Sequence, residues 1–144
     1  MQKLSKKYIG ITGYNGHIGS KLYDFLKKKK FNVKKINLNK NQLKTRFKTI
    51  IHLASKNNIN ESFLKPDFYF KNNILLTLNL LKIIKKNRCD IIFVSSYIYK
   101  KKNKKVKESD SIKTYNPYSY TKFISENILK EFKKYIPFNL IILR

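Results

Sequence analysis

Thiols are almost absent. Cys89 is the single cysteine in 144 residues, which excludes an internal disulfide and a thiol-rich metal site. Long apolar runs are absent too, none approaching the roughly 18 residues that a membrane span requires. The opening MQKLSKKYIGITG enters a strand at once, without the apolar stretch and cleavage site of a secretory leader. The cytoplasm is the expected compartment. Acid is the third scarcity: 8 Asp and Glu stand against 33 Lys and Arg, a formal net charge of +25. Clustered cations release counterions from phosphate polymers, so such a balance suggests nucleic acid or an anionic membrane. Thirty of the 33 cations are lysine, however, and Asn, Ile, Tyr and Phe are also abundant. All five have AT-rich codons, and a reader of base edges would use more arginine. Coding bias is the reading adopted, with no specific nucleic-acid partner. Duplex DNA should then bind without sequence preference and weaken steeply with salt.

What is present suits one domain of 144 residues: 42% apolar and 14% aromatic, enough for a core and unlike a disordered chain. Strand and helix patterns alternate, which predicts an α/β fold with a parallel sheet. Strands are expected at Lys7–Thr12, Phe31–Leu38, Thr49–Ala54, Asp90–Ser95 and Phe138–Leu143. Helices are expected from Ile18 to Lys30 (with Ile18, Leu22, Phe25 and Leu26 on one face), from Pro66 to about Lys86, and over Pro117–Tyr135. Proline suits the first turn of a helix, where its missing N–H is not needed. Asn39–Phe47 reads as a polar connection with room for one helix. Lys56–Lys65 and the basic stretch Tyr99–Thr114 read as loops.

Gly13, Gly16 and Gly19 are spaced Gly-x-x-Gly-x-x-Gly between the first strand and the first helix. Glycines there allow a tight turn and let a pyrophosphate approach bare backbone at a helix N-terminus. Further along, Tyr118 and Lys122 lie four residues apart and share a helix face. A neighbouring ammonium lowers a phenol's pKa and fits it for proton transfer near neutrality.

Thr12-Gly13-Tyr14-Asn15-Gly16-His17-Ile18-Gly19 resembles the TGxxGxxG fingerprint of the short-chain dehydrogenase/reductases, in the form of their extended branch. Ile51-His52-Leu53-Ala54-Ser55 is similar to that branch's strand ending in His-Leu-Ala-Ala. Pro66–Leu81 resembles its helix of the form Pro…Asn-Val-x-Gly-Thr-x-Asn-Leu-Leu, with Asn73, Thr77 and Asn79 in register and Leu76 in place of the glycine. Tyr118-x-x-x-Lys122-x-x-x-Glu126 matches its catalytic helix. The chain is thereby identified as a member of the extended short-chain dehydrogenase/reductases, the NAD-dependent epimerase/dehydratase family of sugar-nucleotide enzymes.

The resemblance implies a Rossmann-like, doubly wound parallel sheet over residues 1–144, without the family's C-terminal substrate domain. It implies NAD or NADP against Gly13, Asn15, Gly16, His17, Ile18, Gly19, Asn37, Leu53, Ala54, Ser55, Asn73, Tyr118 and Lys122. Asn37 stands where NAD-preferring members place an acid, and Lys34, Lys35 or Lys40 could accept a 2′-phosphate, so the choice stays open. The family's usual additional strand after that point is compressed here. The implied catalytic set is Tyr118, Lys122 and a serine from Val94-Ser95-Ser96-Tyr97-Ile98-Tyr99. That segment is one residue shorter than the family's Ser-Ser-x-x-Val-Tyr-Gly; anchoring on Tyr99 selects Ser95, on the serine pair Ser96, with a slight preference for Ser95. The implied reaction is hydride transfer at a carbon of a UDP-, dTDP-, GDP- or CDP-linked sugar, as in an epimerase or reductase, and a homodimer is compatible with it. A noncatalytic dinucleotide binder is the alternative. The final Phe138–Arg144 resembles the strand before the family's Arg-x-x-Asn-x-Tyr-Gly-Pro segment, so a fragment, inactive by itself, is expected.

Overall fold

The computed structural model describes residues 7–39, 45–99 and 105–144. Five strands form one sheet: β1 (Tyr8–Thr12), β2 (Val33–Ile36), β3 (Phe47–His52), β4 (Asp90–Val94) and β5 (Leu140–Leu143). Every pairing is parallel and the order is β2-β1-β3-β4-β5. Parallel neighbours need crossovers, and the helices supply them: α1 (His17–Lys28) after β1, α3 (Pro66–Asn87) after β3 and α4 (Pro117–Phe132) after β4. The chain steps outward from β1 to β2, then returns across β1 to β3 and continues the other way. Right-handed crossovers in opposite directions put α1 on one face and α3 with α4 on the other. The fold is therefore doubly wound, as expected, and its strand order reverses between β1 and β3. A crevice opens at that switch point, at the carboxyl ends of the strands.

The core lies between the sheet and the α3–α4 layer. Ile50, Ile91 and Phe93 from the strands meet Leu80, Ile84 and Leu129 from the helices, all within 1% of full burial.

Four expectations need correction. Lys56–Lys65 is not all loop: α2 (Ile59–Leu64) forms there, capped by the Asn58 side chain, which accepts the Glu61 N–H at 3.0 Å. Asn-x-x-Glu shortly ahead of Phe63-Leu64 is a helix-start pattern that the surrounding lysines and asparagines obscure. The α1 stripe is only partly covered, because α1 packs on β1 and the edge strand β2: Leu22 and Leu26 are half-buried, whereas Ile18 and Phe25 are 61% and 55% exposed. Phe31 falls before β2 and is also exposed. In the Tyr99–Thr114 stretch, Tyr99 and Ile112 form an antiparallel bridge. The helix allowed within Asn39–Phe47 and most of the Lys100–Lys107 run lie outside the described residues, while Phe47 opens β3.

Leu80→Ala should cost about 2–5 kcal/mol, the range for emptying a fully buried leucine site. Leu75→Ala, on the same helix but 47% exposed, should cost far less; urea unfolding of the two variants checks the difference.

Candidate active site

The glycine turn is shaped by contact with the end of β3. Gly13 sits at φ +67°, and a Cβ there would come within 2.7 Å of the Ala54 amide nitrogen. A Cβ on Gly19 would run into the Gly13 carbonyl. One hydroxyl stitches the two strand ends together. Thr12 Oγ1 accepts the N–H groups of Leu53 and Ala54 at 3.1 and 3.2 Å and lies 2.8 Å from His52 Nδ1. A hydroxyl has two acceptor sites and one proton. Both acceptor sites are taken, so the proton goes to Nδ1, and His52 is the neutral tautomer protonated at Nε2. Burial first, and the Lys122 ammonium second, push its pKa down to about 3.

α4 brings the other wall. Asn116 caps it, accepting the Ser119 N–H at 2.7 Å in a capping box, and Pro117 opens the first turn. Tyr118 and Lys122 then project toward the crevice from consecutive turns. Lys122 is 3% exposed, with its Nζ 4.5 Å from the centre of the Phe93 ring, and burial lowers its pKa to about 8 against the opposing pull of Glu126. Phe93 in turn stacks on His52 at 5.5 Å.

Glu126, one turn further, is fully buried. Burial alone would raise its pKa, but Arg144 and Ser95 outweigh it and hold the carboxylate below its usual range. Arg144 contacts both of its oxygens, at 2.6 Å from Nη2 and 3.1 Å from Nε, and Ser95 Oγ donates to it at 2.5 Å. Tyr120 packs against Phe70 and Phe123.

The resulting cleft has a volume of about 690 Å³. Gly13, Gly16, His17, Ile18 and Gly19 form one side, Leu53, Ala54 and Ser55 the floor, and Ser95, Tyr118 and Lys122 the far wall. Four residues expected at the site do not line it: Asn15, Asn37, Asn73 and Ser96. Asn15 is exposed in the turn. Asn37 follows β2, where its Oδ1 accepts the Asn39 N–H. Lys35, also at the β2 end, rests against the rings of Tyr14 and Tyr23. Asn73 is buried behind the floor, bonded to both backbone groups of Lys56 and to Thr121 Oγ1. It ties the segment after β3 to the turn of α4 between Tyr118 and Lys122. Sequence reasoning missed Asn57 and Val94 in the lining, and the part played by His52, which followed only from its place in the His-Leu-Ala strand end.

The model of the NAD dependent epimerase/dehydratase family matches residues 9–144. The chain belongs to this family. Among curated members, a bifunctional UDP-glucose 4-epimerase and UDP-xylose 4-epimerase from Pisum sativum is 32% identical over 105 residues, which are 70% of this chain and 30% of the relative. A UDP-glucose 4-epimerase from Oryza sativa is 34% identical over 69% of this chain and 26% of its own length. Among solved structures, UDP-glucose 4-epimerase from Brucella ovis, in complex with NAD, superposes with a TM-score of 0.86 at 23% identity, covering 96% of this chain and 51% of that one. UDP-N-acetylglucosamine 4-epimerase from Methanobrevibacter ruminantium matches with a TM-score of 0.80 at 26% identity, over 98% of this chain and 55% of that one. The chain spans about half the length of these structures and less than a third of the curated relatives. Within the family fold, the order β2-β1-β3-β4-β5 has no strand beyond β2 among the described residues, in keeping with the compressed stretch after Asn37.

A lysine whose folded pKa is depressed destabilises the fold while it must carry its charge. For Lys122 the cost is full below pH 8 and is relieved as pH rises from about 8 toward about 10.4, the ordinary lysine value. Lys122→Met should therefore raise the melting temperature at pH 7, and the gain should shrink by pH 10. An equal gain at both values would show that the ammonium is not desolvated.

Proposed function

We propose that this chain is the dinucleotide-binding part of a sugar-nucleotide 4-epimerase or a closely related oxidoreductase, using NAD or NADP. The observation that carries the reading is that Tyr118 and Lys122 share one cleft with the glycine turn. The cleft suits a dinucleotide: Gly13 and Gly19 let the turn close on itself and on the end of β3, so that backbone without side chains faces the cleft. The N-terminus of α1, without a side-chain cap at Gly16, offers free N–H groups to phosphate. Bound here, the oxidised nicotinamide would supply the hydride acceptor. The β2 end offers Asn37 and Lys35 and no carboxylate, so the proposal takes in both dinucleotides.

The residues of this chain handle the proton. The Tyr118 phenolate oxygen takes it from a sugar hydroxyl and later returns it. Lys122 sets its ammonium in the same wall of the cleft, where it can donate hydrogen bonds to the hydroxyls of a bound ribose. Ser95 lines the cleft but donates its own proton to Glu126. Its oxygen can therefore accept a hydrogen bond from a sugar hydroxyl, and can donate only by breaking the bond to Glu126. The floor of Leu53, Ala54 and Ser55 is made of apolar and small side chains, which excludes water without filling the site. The names of the relatives favour a UDP-sugar as substrate.

Gly16→Asp tests the cofactor site. Gly16 has extended backbone (φ −79°, ψ 167°), and an added Cβ would meet only the Gly13 carbonyl, at 3.3 Å. Aspartate is also a favoured N-cap. The variant should keep or slightly raise the melting temperature yet lose at least about tenfold in NAD(P) affinity through repulsion of the pyrophosphate. Calorimetry at moderate salt reads this, and unchanged affinity would remove the site assignment.

Tyr118→Phe tests the chemistry. In a protein extended by the C-terminal half of a family relative, turnover of UDP- or dTDP-sugars should fall by about 10²–10⁴, the range for losing a positioned acid–base group. Cofactor binding should persist. Full activity in this variant would refute the role given to the phenol.

A further inference from the structure

A second cavity, of about 700 Å³, lies at the opposite end of the sheet, where the strands begin. Its walls come from three places in the chain. Lys7 precedes β1, Arg46 and Lys48 flank the start of β3, and Lys86 and Arg88 close the end of α3. None of these five cations forms an ion pair among the described residues. The single carboxylate of the lining, Asp90, has its Oδ1 occupied by the backbone and side-chain N–H groups of Asn139.

A chain with net charge +25 will line many hollows with lysine, so lysine by itself marks nothing. Arginine does. The chain has three arginines; Arg144 is bound to Glu126, and the other two both line this cavity. The guanidinium fork engages phosphate oxygens two at a time, which an ammonium cannot do. Helix polarity accounts for Lys86 and Arg88, since cations suit a helix C-terminus, but not for Lys7, Arg46 and Lys48. The left-handed backbone at Arg88 is no marker either, because Lys30 shares it.

The geometry points to a second ligand site here, for the oligophosphate chain of a small molecule, inorganic or nucleoside-linked. It is separate from the proposed cofactor cleft and does not depend on it. The cavity has the volume of a small-ligand site, and five cations from three places in the chain line it. A nucleic-acid duplex would instead be met by a basic strip along the surface.

The test uses the Gly16→Asp background, so that phosphate binding at the glycine turn does not contribute. Tripolyphosphate and ATP are titrated by calorimetry at near-physiological ionic strength, where diffuse surface attraction is largely screened. Arg46→Gln/Arg88→Gly is compared with Lys27→Gln/Lys28→Gln, which removes the same charge from an exposed end of α1. Glycine suits the φ of 48° at Arg88, so the first variant should hold its melting temperature. It should lose about tenfold or more in affinity for both probes, the equivalent of about 1.4 kcal/mol, while the second loses less than about twofold. Binding of ATP but not tripolyphosphate would assign the site to a nucleoside-linked chain; equal binding, to the oligophosphate alone. Equal losses in the two variants would reduce the cavity to part of a diffuse field. Tighter binding of a DNA duplex, abolished by the arginine changes, would replace the small ligand with nucleic acid. Either outcome overturns the proposal, and neither bears on NAD(P) binding by the unmutated chain.

Discussion

The meeting of two strand ends governs the architecture of the cleft. The backbone at Gly13 approaches the backbone at Ala54 so closely that only a hydrogen fits between them. The Thr12 hydroxyl uses its whole hydrogen-bonding capacity to hold that approach. A side chain in place of Gly13 would push β1 and β3 apart at the switch point, and the glycine turn would no longer face the floor. His52 completes the stitch only while neutral, which its burial ensures. A backbone constraint, a hydroxyl and an unprotonated imidazole thus form one unit, and the helix N-terminus is aimed by it.

The far wall is held by different means. Polar pairs run between α3 and α4: Asn73 to Thr121, and Thr77 to Ser125 at 2.9 Å. They fix how α4 lies along α3, and hence how far Tyr118 and Lys122 reach toward the glycine turn. Glu126 adds a second anchor by joining α4 to the end of β4 through Ser95 and to the end of β5 through Arg144. A buried carboxylate is costly unless its oxygens are satisfied, and here arginine and serine satisfy them. The same carboxylate partly offsets the burial of Lys122. In a chain with only eight acids, one is spent inside the core, at the place where it orders three elements.

The excess positive charge is not spread without consequence. Along α1 and α3 the lysines project into solvent, where they raise the general attraction for anions. At the N-terminal end of the sheet, cations from separate parts of the chain face one hollow, with arginine among them. Composition alone cannot distinguish these arrangements, because both contribute the same net charge.

The sequence by itself determined the elements and their nature. Alternating apolar strands and proline-opened helices predicted five strands and three of the four helices. The glycine spacing placed the turn, and the Tyr118–Lys122 interval placed two side chains on one helix face. These are local properties, set by backbone freedom and helical period within a few residues. The short α2 was missed because its cap, Asn58 to Glu61, lies among many polar residues that look alike in sequence. Only the tertiary structure decided what depends on residues 40 or more positions apart: the Thr12–His52 stitch, the contact of Asn73 with Thr121, and the absence of Asn37 and Ser96 from the cleft lining. It also turned the Ser95 proton toward Glu126 and left half of the α1 stripe uncovered. Each of these follows from which surfaces meet when helices close over a sheet, and that meeting is a property of the packed chain as a whole.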